Sequence, residues 1–480
     1  MSARPGCNSL YPGMTRHGAA PMPKQSEQLA LCDFLTRTVR GVVTSPANAS
    51  YDQARRVWNA IIDQHPLAIV ACQDEDDVRT ALTGCREHGI SATVRGGGHN
   101  VAGLAVRSGS VLLDLSPMRG VTVQPERRTA LAQGGALWCD FDAATAVYGL
   151  ATTGGLVSTT GLGGLTLGGG AGWLMRRYGL ACDNVLSARV LLADGRTVRA
   201  SRSDNPDLLW LLSGGGGGFG VVTEFEFRLH PVSRVLAGLV IHPGVAVEQV
   251  LRGFRDFTEV APDEFCGMVV IANAPPLPFL APQWHGRPVA IIAMCWCGEP
   301  AAGEAALKPL RALGQPLVDV IHELPYAQWQ TLQDPGAPSG RCQYWKTASL
   351  SSLTDGTIDF LADAANHLPS PTTELHVQHL GGAVERIPEG DSAFAARNAQ
   401  CFVNLIGSVT EAASYPTMRQ WIRDAHAALS RDALRESLPN FSGVDDTALE
   451  GQFGATRAAK IAALRRRYDP TGLFATAPPA

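Results

Sequence analysis

The chain has 480 residues, a formal net charge of −4, a hydrophobic fraction of 45% and a charged fraction of 18%. This length indicates two or three domains of roughly 150 residues, each with a core of its own, and the composition excludes a disordered chain. The 40 basic and 44 acidic residues exclude the strongly basic surface of a nucleic-acid-binding protein. Glycine is unusually frequent, because its 51 residues are about 11% of the chain against a usual ~7%.

Cysteine spacing and apolar runs bear on the location of the protein. Eleven cysteines are spread from Cys7 to Cys401 without the spacing of a disulfide framework or a zinc site, so we expect reduced thiols and no metal. The segment 1–28 lacks the apolar core of a signal peptide. Since no run approaches the length of a membrane span, we expect a cytoplasmic protein without membrane association.

The first half of the chain is predicted to alternate strands with glycine loops. Residues 1–44 are expected to be a lead-in, of which about the first 40 are poorly ordered. Next come a strand over 67–72, a helix from the N-cap Asp74 to Gly89 and a strand over 90–94, which runs into a glycine loop at 95–100. Further along, the patterns predict a strand at 110–115, a hairpin at 120–133, a strand–turn–strand unit at 185–200 and a strand at 221–229.

The composition changes after Pro231, where the glycine tracts end and amphipathic helices alternate with strands. The patterns predict helices at 247–260, 301–313, 355–365 and 415–429, and strands at 265–271, 289–297, 374–380 and 400–406. These elements indicate a second, α+β domain of about 200 residues. A basic helix follows at 457–467, and its Arg465–Arg467 run is interpreted as a solvated helix end.

Two further glycine tracts follow the loop at 95–100. Nine of the nineteen residues at 154–172 and six of the seven at 214–220 are glycine. Glycines beside strands let a large anion approach backbone N–H groups, so the tracts predict a cofactor that carries phosphate. No lysine follows a tract as a Walker loop requires, and a Rossmann fingerprint fits only loosely. The alternative is that the tracts are turns of a β-rich domain.

The motifs also carry a family resemblance. Arg-Gly-Gly-Gly-His-Asn at 95–100, Thr-Gly-Gly at 153–155, the tracts at 161–180 and 214–223, and Tyr-Asp-Pro at 468–470 resemble, in order and spacing, the FAD-linked oxidases of the vanillyl-alcohol-oxidase type, berberine-bridge-enzyme branch. The resemblance implies an α+β fold of two domains. A discontinuous FAD domain (45–235 with a C-terminal return at 435–480) would enclose a substrate domain with an antiparallel sheet (236–434).

The resemblance also implies a cofactor and its binding residues. FAD would be bonded to a ring nitrogen of His99, in a loop that wraps the pyrophosphate and brings Arg95 close to it. The remaining cofactor-binding positions carried over from the motifs are Gly96, Gly97, Gly98, Asn100, Gly103, Thr153, Gly154, Gly155, Ser158, Thr159, Gly161, Gly164, Gly169, Gly170, Gly172, Val221 and Asn440.

The chain departs from the family pattern at several positions. Val157 stands where doubly linked members have cysteine, so we expect a single covalent link. Gly155 is a small residue where the family leaves O₂ a path to the flavin, which favours an oxidase. Leu438 and Ile406 replace the usual catalytic tyrosine and Glu/Gln, and therefore the family mechanism does not transfer directly.

Catalytic candidates come from strands of the second domain. In the strand at 374–380 one face carries Glu374, His376 and Gln378. We predict that His376 and Gln378 line a wet cavity; a solvated edge face is the alternative. By the same alternation Tyr344 and Lys346 share a face, and they are further candidates for catalysis, the alternatives being an aromatic packing residue and a snorkelling lysine.

The sequence therefore predicts an FAD-dependent oxidoreductase that takes hydride from a small amine, alcohol or natural-product intermediate, with O₂ as acceptor. Its partners would be this substrate and O₂, with neither nucleic acid nor membrane. Two alternatives stay open: a flavoprotein that catalyses a non-oxidative tailoring step, and an inactive FAD-binding scaffold.

Overall fold

The computed structural model describes residues 25–474 except 444 and 447. The segment 1–24, with Cys7, and the tail 475–480 lie outside the described residues. In chain order the α-helices are α1 (Gln25–Thr38), α2 (Tyr51–Ala54), α3 (Glu75–Glu87), α4 (Trp138–Ala146), α5 (Leu162–Leu167), α6 (Met175–Tyr178), α7 (Pro206–Leu212), α8 (Val247–Thr258), α9 (Pro300–Arg311), α10 (Tyr326–Trp329), α11 (Asp355–Ala364), α12 (Ala383–Arg386), α13 (Tyr415–Leu429) and α14 (Leu449–Tyr468).

The strands form four sheets. In chain order they are β1 (Val42–Thr44), β2 (Ala68–Ala71), β3 (Ala92–Arg95), β4 (Val111–Asp114), β5 (Val121–Gln124), β6 (Thr129–Gln133), β7 (Leu150–Ala151), β8 (Val185–Leu191), β9 (Thr197–Ser201), β10 (Val221–Arg228), β11 (His230–Pro231), β12 (Arg234–Pro243), β13 (Phe265–Asn273), β14 (Pro288–Trp296), β15 (Val318–Asp319), β16 (His322–Pro325), β17 (Cys342–Leu350), β18 (Glu374–His379) and β19 (Cys401–Val409). The predicted helices and strands named above are all present, with ends that shift by a few residues except in the basic C-terminal helix, which was predicted from 457 and begins at Leu449.

The first half contains a small mixed sheet and a larger antiparallel one. The four-stranded sheet has the order β1-β2-β4-β3, in which β2, β4 and β3 are parallel. The five-stranded sheet, β5-β6-β10-β8-β9, is antiparallel throughout. The C-terminal segment returns to this half, where Phe453 and Ile461 of α14 pack into the core of the five-stranded sheet and Phe474 pairs with Ala92.

The second half is an eight-stranded antiparallel sheet, ordered β15-β12-β14-β13-β18-β19-β17 with β16 beside β12. Helices α8, α9, α11 and α13 cover one face, and their apolar side chains form a single core with that face. The other face turns toward the first half, because alternate residues along a strand point to opposite sides. A cavity therefore lies between the two halves.

One sequence prediction fails at the beginning of the described chain. The segment up to about residue 40 was expected to be poorly ordered, but Gln25–Thr38 is helix α1. Leu31 and Leu35 are fully buried against α3 and the four-stranded sheet. They are four positions apart, which places both on one helix face, and this burial orders the segment.

The structure describes ten cysteines, and eight of them are buried. None of the helices in the described ranges has the length and apolar character that a membrane span requires.

Candidate active site

A cavity of about 360 Å³ lies between the glycine loops of the first half and the open face of the eight-stranded sheet. This volume falls in the range of small-molecule and cofactor sites. Glycines from all three tracts line one end, namely Gly96, Gly97, Gly98, Gly161, Gly163, Gly164, Gly168, Gly215, Gly216, Gly217, Gly218 and Gly220. Asn100, Asn440 and Phe474 line it as well.

The glycine loops touch one another through their backbones. A Cβ on Gly97 would collide with the backbone of Gly161, and a Cβ on Gly161 would collide with that of Gly97. Asn440 fixes the second tract from the C-terminal segment: its amide donates to the carbonyl of Leu165 at 2.9 Å and accepts from the N–H of Gly170 at 2.8 Å. A Cβ on Gly164, which lines the cavity, would meet no other atom within 4 Å. A side chain there would therefore occupy the cradle, which the glycines leave open to a large ligand.

His99 lies at the edge of this cradle. Its ring stacks on Trp58, with centroids 4.4 Å apart, and its buried Nε2 has no partner among the described residues. Desolvation lowers the pKa of His99 to about 4, so the imidazole is neutral at pH 7. A neutral imidazole is a nucleophile, because its unprotonated nitrogen carries a lone pair.

Three neighbouring strands form the opposite wall of the cavity. Trp345 of β17, His376 and Gln378 of β18, and Asn404 and Ile406 of β19 all face it. The Nε2 of His376 lies 2.7 Å from the carboxylate of Glu374, two residues earlier on the same strand. The face predicted from alternation on β18 therefore lines the cavity, as expected for His376 and Gln378. The buried Nε2 of Gln378 has no described partner.

The other two catalytic candidates do not reach the cavity, which corrects the sequence interpretation. Tyr344 is fully buried in the core under helices α8, α9, α11 and α13, and its hydroxyl donates to Asp445 at 2.7 Å. Lys346 forms an ion pair with Asp446. The alternation on β17 was correct, but the face that meets the cavity carries Trp345.

Arg95 also departs from its expected role beside an anion. Its guanidinium pairs with Asp114 at 2.6 Å and donates to the carbonyl of Ala54 at 2.7 Å. Arg95 and Asp114 are partners in the register of β3 and β4, so the pair belongs to the sheet. By contrast Arg465, interpreted as a solvated helix end, lines the cavity next to the tract Gly215–Gly218.

The remaining predicted cofactor residues do not line the cavity. Thr153 donates to the carbonyl of Gly179 at 2.7 Å, and Ser158 donates to Asp334 at 2.6 Å. Thr159 is exposed. The others of this group are not among the lining residues: Gly103, Gly154, Gly155, Gly169, Gly170, Gly172 and Val221.

Several lining residues were missed by the sequence analysis, among them Trp345, Asn404, Phe402, Gln333 and Arg465. Strand alternation on 400–406 contains the signal for Phe402 and Asn404, because both lie on the same face as Ile406. No local pattern marks Gln333, which reaches the cavity from a loop.

Asp142 is a buried carboxylic acid close to Gly154 and outside the cavity. The side-chain carboxyl of Asp142 in α4 accepts one described hydrogen bond, from the amide of Gln330 at 3.3 Å. A Cβ on Gly154 would lie 2.9 Å from the same amide nitrogen. Desolvation raises the pKa of Asp142 from 3.8 to about 7. The folded state therefore binds the proton more tightly than the unfolded state.

We expect the substitution Asp142→Asn to stabilise the protein at pH 8. The raised pKa makes the wild type lose stability as pH rises from about 4 to about 7, whereas the amide does not titrate. The variant should gain roughly 2–4 kcal/mol at pH 8 and lose this advantage progressively toward pH 4. Denaturant unfolding at several pH values measures it.

Asp140 is the matched control. Burial raises the pKa of its carboxyl, but the ion pair with Arg119 outweighs this effect, and the pKa is lowered overall. Asp140→Asn should destabilise at pH 8, and a same-sign effect for both variants would contradict the assignment.

Comparisons with known proteins agree with this geometry. The family model described as an FAD binding domain matches residues 66–201. An FAD-linked oxidoreductase from Dictyostelium discoideum is 28% identical over 91% of this chain and 94% of its own. The (R)-6-hydroxynicotine oxidase of Paenarthrobacter nicotinovorans is 27% identical, over 91% of this chain and 96% of its own.

Solved structures show the same architecture. The crystal structure of 6-hydroxy-D-nicotine oxidase from Arthrobacter nicotinovorans matches with a TM-score of 0.82 and 25% identity, over 92% of this chain and 97% of that one. The chain is an FAD-linked oxidoreductase. Its fold is that of the berberine-bridge-enzyme-like proteins. The predicted fold class of this oxidoreductase is thereby confirmed, and FAD is its cofactor.

A third structure is similar in fold alone. Glucooligosaccharide oxidase from Acremonium strictum, described with a 6-S-cysteinyl, 8α-N1-histidyl FAD, has a TM-score of 0.81 at 21% identity, over 94% of this chain and 99% of that one. In this oxidoreductase Val157 lines the cavity and provides no thiol for a second bond.

Proposed function

We propose that this oxidoreductase is an oxidase for a small organic amine or alcohol with an apolar body. The observation that carries the proposal is one continuous cavity, which joins the glycine cradle and neutral His99 to the polar wall at His376 and Gln378. FAD, when bound, supplies a hydride acceptor and passes the electrons to O₂ as H₂O₂. We assign cofactor binding to residues 45–235 and 435–480, and substrate binding to 236–434.

His99 is proposed to hold FAD through a covalent bond. Its ring is fixed by stacking on Trp58 and its free Nε2 is buried. Since the pKa of His99 is lowered to about 4, proton loss does not limit its nucleophilicity at neutral pH. The protein similar in fold that carries a histidyl FAD supports this assignment.

His376 is proposed to accept the substrate proton. When its Nε2–H is donated to Glu374, the Nδ1 atom keeps the lone pair that takes a proton from the substrate heteroatom. The carboxylate then stabilises the imidazolium, as an orienting acid does in other His-based sites. Gln378 offers a free amide N–H to the same substrate, and this donor orients it in the cavity.

The cavity walls favour a substrate with an uncharged, apolar body. Trp345, Phe402, Ile406 and Phe441 contribute the apolar surface, and no Asp or Glu is among the lining residues of the described chain. A relative of similar length is named as an oxidase of hydroxynicotine, an amine, which supports an amine over a sugar. Leu438, in the place of a usual tyrosine, is buried in the core. The free thiols favour a reducing, cytoplasmic compartment.

The test begins with the absorption spectrum of the purified protein, followed by acid precipitation and the mass of the pellet. A yellow pellet heavier than the chain by one FAD supports the covalent assignment. Amines and alcohols with aromatic bodies are then screened for anaerobic bleaching and for H₂O₂ in air. Bleaching without peroxide would contradict the oxidase, and product formation without bleaching would favour a non-oxidative step. A colourless protein would favour an inactive scaffold.

Gly155 is proposed to keep the O₂ path open, and Gly155→Val tests this. A Cβ at Gly155 would lie 2.7 Å from Cδ1 of Leu165, a side chain that lines the cavity. The variant should push Leu165 inward and slow reoxidation by O₂ roughly tenfold or more, about 1.4 kcal/mol of barrier. Anaerobic reduction should change little. Stopped-flow measurement of both half-reactions checks it.

Leu165→Ala in the Gly155→Val background is the control, because it removes the displaced side chain. Recovery of the oxidative rate supports a steric gate, whereas an unchanged oxidative rate in Gly155→Val itself would remove Gly155 from this role.

A further inference from the structure

Asn404 lies beside His376 on the open sheet wall of the cavity. In the register of the sheet, Asn404 of β19 is directly opposite His376 of β18 on one side and Thr347 of β17 on the other. Asn404 and His376 both line the cavity. Residues directly opposite in antiparallel strands have Cβ atoms about 4.5–5.5 Å apart, so the amide and the imidazole are close neighbours. No hydrogen bond joins these two side chains within the described residues.

Thr347 orients the amide of Asn404. Its hydroxyl donates to Oδ1 of Asn404 at 3.0 Å and has no other acceptor among the described residues. The amide oxygen is thereby turned toward β17, and Nδ2, on the other side of the amide group, is turned away from Thr347. This nitrogen has no partner among the described residues, although Asn404 is only 2% exposed. Because a buried N–H group without an acceptor is unfavourable, a ligand that brings an acceptor would be stabilised here.

The charges around this wall restrict the group that Asn404 can receive. Arg465 is the only lysine or arginine among the lining residues that the structure describes, and its guanidinium donates to the carbonyl of Gly215 in the third glycine tract. A ligand carboxylate at Asn404 would therefore be buried without a cation on its own wall, which is costly. Glu374, bonded to His376, would also repel it. An uncharged oxygen meets neither penalty.

We propose that Asn404 determines specificity by binding a second, uncharged oxygen of the substrate, such as a carbonyl or an ether. The inference rests on the proposed function, in which His376 receives the N–H or O–H group that is oxidised, and it narrows the substrate class. Two hydrogen bonds of about 2.9 Å to side chains on strands about 4.8 Å apart hold substrate heteroatoms roughly 3–5 Å from each other. The substrate is therefore an amine or alcohol with an apolar body and an acceptor oxygen three or four bonds from the oxidised heteroatom.

The test measures the binding of ligands that cannot be oxidised to the FAD-loaded protein. Acetophenone and ethylbenzene share one aromatic body, and only acetophenone carries an acceptor oxygen. Asn404→Leu should weaken acetophenone roughly 3–10-fold, the loss expected for one hydrogen bond, and should not weaken ethylbenzene. Benzoate should bind to the wild type more weakly than acetophenone. Ligand-observed NMR or equilibrium dialysis gives the dissociation constants.

Three further variants separate hydrogen bonding from shape. Asn404→Asp keeps the size of the side chain and an acceptor for Thr347 but offers no donor when ionised, so it should weaken acetophenone at least as much as Asn404→Leu does. Thr347→Val leaves the amide free to turn and should lose part of the effect. Ile406→Ala, two residues further on the same face of β19, is the matched control, because it removes apolar surface and should weaken both ligands by a similar factor.

Four results would overturn the proposal. These are equal weakening of both ligands by Asn404→Leu, unchanged acetophenone binding in that variant, no measurable acetophenone binding to the wild type, and a selective loss of acetophenone in Gln378→Leu alone, which would assign the oxygen to Gln378. Since neither ligand reacts, the outcome is separate from the oxidase test. A wild type that binds acetophenone through Asn404, but whose flavin no amine or alcohol bleaches, would support this inference and contradict the proposed oxidase.

Discussion

FAD should be released by acid from the His99→Ala protein and should stay with the wild-type chain. His99 is the only histidine of the described chain beside the glycine cradle. Its ring is neutral at pH 7, because its pKa is lowered to about 4, and its buried Nε2 has no partner among the described residues. Its replacement removes the nucleophile and leaves the cradle intact. The measurement is the mass of the denatured chain, which should drop by one FAD, together with the colour of the supernatant.

His376→Asn is the control for this result, because it alters a histidine on the wall of the cavity opposite the glycine cradle. It should keep the full mass of the covalent adduct. Loss of the adduct in both variants would mean a general failure of cofactor loading, and an adduct that survives His99→Ala would place the bond on another residue.

Strand alternation in the sequence predicted one wall of the site in part. Alternation identified the cavity face of β18, because Leu375 and Val377 are apolar and His376 and Gln378 are polar. On β17 both faces carry polar groups, so alternation gave no direction. Tyr344 and Lys346 are satisfied by Asp445 and Asp446, which lie about a hundred residues later, and no local pattern contains that pairing.

The surroundings of the arginines could not be predicted from local sequence either. Arg95 and Asp114 lie nineteen residues apart in the chain but are partners across two parallel strands, and the pairing depends on sheet register. Arg465, Arg466 and Arg467 are consecutive, and only the packing of α14 decides that the first one turns into the cavity. The place of the glycine tracts in the cavity could be predicted, because it depends on the local backbone freedom of glycine.

His376→Asn should lower kcat by about 10²–10⁴-fold, the usual contribution of a positioned general base. The loss should appear in anaerobic reduction by substrate and leave reoxidation by O₂ unchanged, since Glu374 and His376 act on the substrate proton only. Rapid mixing without oxygen measures the first step directly. Glu374→Gln should have a smaller effect, roughly tenfold, because the imidazolium loses its carboxylate partner.

The pH dependence of the His376→Asn defect separates the two substrate classes. A protonated amine must lose a proton before it gives up hydride, so the defect should shrink once the pH exceeds the pKa of the free amine. An alcohol keeps its proton over the whole range, and the defect should persist. Added imidazole should partly restore His376→Ala, because it refills the space left in the wall. A His376→Asn protein that reduces within threefold of the wild-type rate would exclude His376 as the proton acceptor.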